Sequence, residues 1–219
     1  VTDQGHVERE VKLDADPDLV LPDFATVVPG ATVHRRDPVE LDATYFDADD
    51  LRLMAGGVTV RRRTGEGTRW TVKVAADEPG AAGAMARREI DVMDESAAPP
   101  AEVRRLVDGW LGGAELVAVA RLVSSRSRLD LRSADLDRVV AEVDDDLVVV
   151  IDGDREVGRF REIEIELAKG LSESEVAEAT GLVDAVTARL VDAGARRETM
   201  RPKVDRALAI IGRHSERRA

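Results

Sequence analysis

Two stretches far apart in the chain share one arrangement of polar and apolar positions. In Val7-Glu8-Arg9-Glu10-Val11-Lys12-Leu13, and again in Arg161-Glu162-Ile163-Glu164-Ile165-Glu166-Leu167, ionised residues alternate with apolar ones. A strand points successive side chains to opposite faces, so Glu8, Glu10 and Lys12 share one side and Val7, Val11 and Leu13 the other. A half-exposed antiparallel sheet accounts for such a pattern without any function. Its recurrence near both ends of the chain points to two acid-lined strands whose charged faces meet around something cationic.

The same reading predicts the remaining elements. Residues 14–28, with Asp16 as a cap and Pro17 and Pro22 within, read as a short interrupted helix. Residues 31–48 favour extended structure, 49–55 a turn or one helical turn, and 58–63 and 69–74 the arms of a hairpin around Thr64-Gly65-Glu66-Gly67. Residues 77–84, rich in Gly, Ala and Pro, read as a loop, and 87–92 as a strand. Pro99-Pro100 introduces a helix over 101–111 that Gly112-Gly113 closes. Extended structure then dominates from 115 to 167, with strands over 116–131, 136–143, 147–151 and 157–167. Ser172 and Glu175 form a capping box before a helix to about residue 193, and a second helix runs from Arg201-Pro202-Lys203 to Ile211. Seven or eight strands with helices between and after them predict an α+β fold whose antiparallel sheet can close into a barrel.

Composition narrows the chemistry. A chain of 219 residues without a linker-like stretch reads as a single domain over 1–219, its core within about 6–210 and a charged tail over 212–219. Aromatics are only 3% against 35% charged residues, so the core rests on aliphatic side chains and part of the charge is expected to line an interior cavity. The net charge of −12 argues against attraction to a nucleic-acid duplex or an anionic membrane, although it leaves room for a local basic pocket. No apolar run approaches the roughly 18 residues of a membrane span, so a cytoplasmic protein is expected. There is no cysteine and only three dispersed histidines, so any metal would be held by oxygen.

If the sheet closes, its interior collects Glu8, Glu10, Glu89, Glu162, Glu164 and Glu166 against Lys12, Arg61, Arg63, Lys73, Arg126 and Arg128. Desolvating so many ions costs several kcal/mol each unless partners or bound ions compensate. An ion-pair lattice without a ligand is one solution. The other is a site divided by charge, with carboxylates for a hard divalent cation and Arg and Lys for a polyanion. No phosphate-cradling glycine loop, dinucleotide fingerprint or nucleophile-elbow serine is present. Asp144-Asp145-Asp146 reads as a solvated turn and lacks the spacing of a helical calcium loop. His6 reads as an end-of-strand residue, and Trp70, on the face opposite Lys73, as packing.

With these residues in place the chain resembles the CYTH domains, also called triphosphate tunnel metalloenzymes. Glu8, Glu10 and Lys12 meet the Glu-x-Glu-x-Lys hallmark. Thr44-Tyr45-Phe46-Asp47, Val58 to Arg63, Trp70 to Val74, Arg88-Glu89, Ser125 to Arg128, the Asp144 to Asp146 triplet, Glu162 to Glu166 and Pro202-Lys203 follow in order. The resemblance implies a closed eight-stranded antiparallel barrel forming a tunnel, with helices packed outside. It implies Mg2+ or Mn2+ on Glu8, Glu10, Glu162 and Glu164, with Glu166 sharing their parity and Asp145 chosen from the triplet. Lys12, Arg61, Arg63, Lys73, Arg126, Arg128 and Lys203 are then expected to hold a triphosphate, and Lys12, Arg61, Arg63 and Arg126 to assist its hydrolysis. Inorganic triphosphate is the expected substrate. Thiamine triphosphatases and class IV adenylyl cyclases belong to the same family, and a non-catalytic module for polyphosphate or a nucleotide is the alternative. Some family members are joined to a helical CHAD domain associated with polyphosphate, which makes such a partner possible here.

Overall fold

The computed structural model describes residues 6–24, 31–75, 85–133, 135–197 and 201–213, with the side chains of residues 6–9, 75, 85 and 86 outside that description. Among these residues the chain forms β1 (His6–Ala15), β2 (Ala31–Arg35), β3 (Val39–Asp47), α1 (Arg52–Ala55), β4 (Thr59–Thr64), β5 (Arg69–Ala75) and β6 (Met85–Val92). There follow α2 (Ala101–Leu111), β7 (Val117–Ser133), β8 (Arg138–Asp152), β9 (Arg155–Leu167), α3 (Glu173–Asp192), β10 (Arg196–Arg197) and α4 (Lys203–Ile211). The fold is α+β with one antiparallel sheet, but its strands among the described residues number ten rather than the expected eight. The two additions are short: β2 pairs with β7, and β10 with β1. The other strands pair in the order β1-β6-β5-β4-β3-β7-β8-β9, and β1 also pairs with β9. Glu10 lies opposite Met85 of β6 and opposite Glu166 of β9.

Period-two alternation gives this sheet an ionised face and an apolar face. Leu13, Leu129, Leu131, Val143, Ile163 and Ile165 bury their side chains with Ala179, Val183, Val186 and Leu190 of α3. Val60, Trp70, Val72 and Val92 do the same with Leu53 of α1 and Val103, Val107 and Leu111 of α2. Trp70 is fully buried, its ring centroid 4.9 Å from that of Phe46, so it packs as expected. The fourth helix behaves differently. Val204, Ala207 and Leu208 of α4 pack on Leu122, Val148, Val150 and Phe160, which share strand parity with Arg126, Asp146 and Glu162. Helix α4 therefore lies on the ionised face, where that face turns apolar at one end. Gly158 seats it, because a Cβ there would stand 2.7 Å from Ile210 Cγ2.

Two local expectations are corrected. Residues 16–24 carry a turn and irregular backbone in place of a helix, and residues 25–28 lie outside the described residues. Their carbonyls find another partner, since Arg161 Nη1 donates to Asp16, Pro17 and Leu19. The acidic triplet is no turn but the middle of the 15-residue strand β8, because arginines on the neighbouring strands offset its charge. The predicted loop at 77–84 and the tail from 214 onward also lie outside the described residues. The β4–β5 hairpin stands as read, and its Gly65 has φ of 116°, with a Cβ there falling 2.1 Å from the Glu40 carbonyl oxygen. No helix among the described residues is long and apolar enough to cross a membrane.

Asp47 of the Thr44-Tyr45-Phe46-Asp47 motif is buried and serves the backbone. Its Oδ1 accepts from the amides of Ala48 at 2.7 Å and Leu53 at 2.9 Å, and its Oδ2 from Met54 at 3.0 Å. Truncation leaves three donors without that acceptor, so Asp47→Ala is expected to lower unfolding free energy by about 2–3 kcal/mol. Urea titration should show this as a lower midpoint at unchanged slope.

Candidate functional site

The ionised face lines a cavity of about 180 Å³. Strand parity places Glu10 and Lys12 from β1, Arg61 and Arg63 from β4 and Lys73 from β5 on its wall. Arg126 and Arg128 from β7, Glu164 and Glu166 from β9 and Lys203 from the first turn of α4 complete the predicted set there. Glu162, with no exposed surface, lies against the ammonium groups of Lys12 and Lys203. Glu8 is in β1 opposite Arg87, and its side chain is outside the described residues.

Two lysines and one arginine hold the acidic part together. Lys12 Nζ bonds Glu164 and stands 3.4 Å from Glu162 Oε1 and 3.5 Å from Glu10 Oε1. Lys203 Nζ is 2.7 Å from Glu164 Oε2, 2.8 Å from Asp146 Oδ2 and 3.2 Å from Glu162 Oε1. Arg126 grips Asp146 with two bonds of 2.7 and 2.6 Å and also bonds Asp144. On the other strands, Lys73 Nζ is 2.8 Å from Glu89 and Arg128 donates to Asp144 at 2.6 Å.

These partners decide which charges survive burial. Burial alone would push the Lys12 ammonium pKa down, but the fields of Glu10, Glu164 and Glu162 outweigh it and hold the value well above that of an ordinary lysine. Burial acts the same way on Lys203, and Asp146, Glu164 and Glu162 likewise raise it. For Glu164, burial opposes ionisation, yet Lys12, Lys203 and Arg126 hold its carboxyl well below the usual range. Asp146 is lowered too, with Lys203 and Arg126 overcoming its burial. Glu162 is the exception. Burial raises it against the pull of Lys12 and Lys203, and the neighbouring Glu164 charge adds to the rise.

The donor set suits a hard cation, since Glu10, Glu162 and Glu164 offer only oxygen from paired strands. Glu162 Oε2 is buried without a hydrogen-bond donor among the described residues, a lone pair open to a ligand. Among those residues, however, no group of three is arranged to hold a metal ion; the ammonium groups of Lys12 and Lys203 occupy the space between the carboxylates.

Asp145 is a correction. Its carboxylate takes bonds of 2.8 and 2.9 Å from Arg161 on the opposite face of the sheet, while Asp144 and Asp146 point toward Arg126. The register explains it: Asp144 lies opposite Arg128 and Glu164, and Asp146 opposite Arg126 and Glu162. Arg69, Arg87, Glu142 and Lys169 also line the cavity without having been singled out, and Asp144 of the triplet does so where Asp145 was expected. Parity was the available signal for Arg87, two residues from Glu89, and for Arg69, four from Lys73. Lys169 follows the end of β9 and carried none.

The site is thus an ionised sheet face lining a cavity shared between carboxylates and Arg and Lys side chains. The CYTH domain model matches residues 6–183, and the chain belongs to that family. It is 27% identical over 201 residues to an uncharacterized protein of Mycobacterium tuberculosis, covering 87% of this chain and 38% of that protein. The chain thus spans well under half the length of the curated relatives it matches. Among solved structures, it resembles a candidate adenylate cyclase of Bacillus halodurans with a TM-score of 0.57, 17% identity and coverage of 92% and 97% of the two chains. A candidate adenylyl cyclase from Hippeastrum, described as having a dominant triphosphatase activity, matches with a TM-score of 0.51, 16% identity and coverage of 94% and 97%.

The opposite shifts of the two glutamates set up a comparison. A lowered carboxyl stabilises the fold above its unfolded value, about 4.3 for Glu, and that contribution disappears as pH falls through the folded value. A raised carboxyl does the reverse, since ionising it above about 4.3 costs folded-state stability. At pH 7, Glu164→Gln should therefore destabilise by about 3 kcal/mol, and Glu162→Gln clearly less. Thermal melts of both variants check this, and Glu164→Gln should also flatten the loss of stability below about pH 4.

Proposed function

We propose that this chain hydrolyses a small inorganic triphosphate with the help of Mg2+ or Mn2+, inside a tunnel whose seam is the β1–β9 pairing. The observation that carries this reading is one cavity wall that gathers carboxylates, foremost on β1 and β9, and arginine and lysine side chains, foremost on β4, β5 and β7, with Lys12, Glu89, Glu142 and Asp144 interleaved among them. A phosphorylated anion with a divalent cation satisfies both halves at once. The cavity size favours an inorganic substrate, because about 180 Å³ falls short of the roughly 300–1,000 Å³ common for drug-sized ligands. Tyr45 is the one aromatic residue on its wall among the described residues, which offers little to a nucleobase. The triphosphatase activity described for the Hippeastrum relative supports hydrolysis over cyclisation.

Glu10, Glu162 and Glu164, with Glu8 by resemblance, would hold the cation, which would offset charge on the phosphate oxygens. Glu166 lines the same wall, and Asp144 or Asp146 replaces Asp145 as the contribution of β8. Arg61, Arg63, Lys73, Arg126, Arg128, Lys12 and Lys203 bind and orient the phosphate chain. Arg61, Arg63, Arg126 and Lys12 stabilise the charge that grows on the leaving diphosphate as water forms its bond to the terminal phosphorus. No side-chain nucleophile is required.

A phosphate-binding module without turnover is the second reading, favoured by the lack of a ready-made three-carboxylate metal group among the described residues. Phosphate release from inorganic triphosphate, ATP and thiamine triphosphate with each metal separates the two. Release is expected to be fastest from inorganic triphosphate, and Glu10→Gln, alone or with Glu8→Gln, should cut it by about a hundredfold while weakening triphosphate binding much less. Tight binding with no release from any of the three substrates would establish the module instead.

A further inference from the structure

Lys12 and Lys203 reach the same carboxylates from different elements, one from the middle of β1 and the other from the first turn of α4. Both ammonium groups contact Glu162 and Glu164, and each has one further acid, Glu10 for Lys12 and Asp146 for Lys203. Glu10, Glu162 and Glu164 are the groups that the proposed function gives to the divalent cation, and the present inference rests on that reading. An ammonium group is a donor only, so it cannot share a carboxylate lone pair with a metal ion and repels one nearby. Two monovalent cations supply the charge of one divalent ion. Both lysines also line the cavity that would take the polyanion, and a Lys head on its four-carbon stem turns to a new acceptor without backbone movement. Helix α4 keeps its place during such a turn, because Arg206 pairs with Asp14 at 2.8 Å and lies 4.2 Å over the Phe160 ring.

We propose that Lys12 and Lys203 are exchange cations: they neutralise Glu10, Glu162 and Glu164 until a polyanion draws them onto its own oxygens, and only then are these carboxylates available to a divalent cation. Metal and polyanion binding are thereby coupled through the protein, in addition to any contact between the two ligands.

Electron paramagnetic resonance of free Mn2+ during titration of the whole chain tests this, first without phosphate and then with a saturating non-hydrolysable triphosphate analogue. Without phosphate, Lys12→Met and Lys203→Met should each bind Mn2+ about tenfold more tightly than the wild type, and the gain from the analogue should shrink by the same factor. Lys203→Arg keeps the charge and should bind Mn2+ as the wild type does. Arg69→Met removes a cavity cation whose partner is Asp91, outside the proposed metal set, and its Mn2+ affinity should hardly change. The inference is overturned if neither lysine-to-methionine variant tightens Mn2+ binding, or if Arg69→Met tightens it equally, which would reduce the effect to the general field of the cavity. Failure of the wild type to bind the analogue, or Mn2+ in its presence, would instead overturn the proposed function.

Discussion

The structure depends on burying ions beside ions. Glu162 and Asp146 have almost no exposed surface, and the ammonium groups that neutralise them come from opposite ends of the chain. Taking such groups out of water is unfavourable by several kcal/mol per ion unless geometry returns it. The return here comes from sharing: Lys12, Lys203 and Arg126 all meet Glu164, so removing any one member leaves the others short of a partner. This mutual dependence ties β1, β7, β8, β9 and α4 into one unit that no apolar contact between them would specify as sharply.

The helices follow from that constraint. A sheet whose charges point one way must cover its apolar face, and α1, α2 and α3 do so. Helix α4 crosses to the ionised face at the end where Leu122, Val148, Val150 and Phe160 replace charges. Its apolar side is satisfied there, and its first turn is left pointing Lys203 at Glu162, Glu164 and Asp146. Gly158 permits the approach at the far end of the helix through its lack of a side chain. A local feature of β9 thus helps to set where a charge from the last helix falls.

Much of this was legible in the residues because strand alternation is a local rule. Once Glu10 and Lys12 were placed on one face, the same parity found Arg61, Arg63, Lys73, Arg126, Arg128 and the three glutamates of β9. Parity has no hold on where a strand is uninterrupted. Three consecutive aspartates read as a turn in isolation, and only the register with Arg126 and Arg128 shows that they continue a strand with Asp145 facing away. The segment after Ala15 failed for a related reason, as its proline and cap signals were local while the guanidinium that takes its carbonyls comes from Arg161, over 140 positions later. The short strands β2 and β10 add to edges that exist only in the folded sheet, so no pattern within them announced the pairing. Lys203 was found through its motif alone, since helical periodicity does not mark which residue at a helix start will enter a cavity.

A chain of net charge −12 that gathers arginines around a cavity must confine its attraction for anions to short range. At physiological ionic strength exposed charges are largely screened beyond about 8–10 Å, so the acidic surface hardly opposes a guest already inside. Within the cavity the opposite charges stand side by side. Arg126 lies 3.5 Å from Glu164, Arg128 bonds Asp144 at 2.6 Å, and Asp144 lies opposite Glu164 in the β8–β9 register. Lys73 likewise stands 2.8 Å from Glu89. These separations fall well inside the screening length, and burial weakens screening further, so each cavity charge is felt mainly by its immediate partner. A guest anion and a guest cation must therefore compete with ion pairs already formed, and it is the exchange of partners that lets one compact wall serve both.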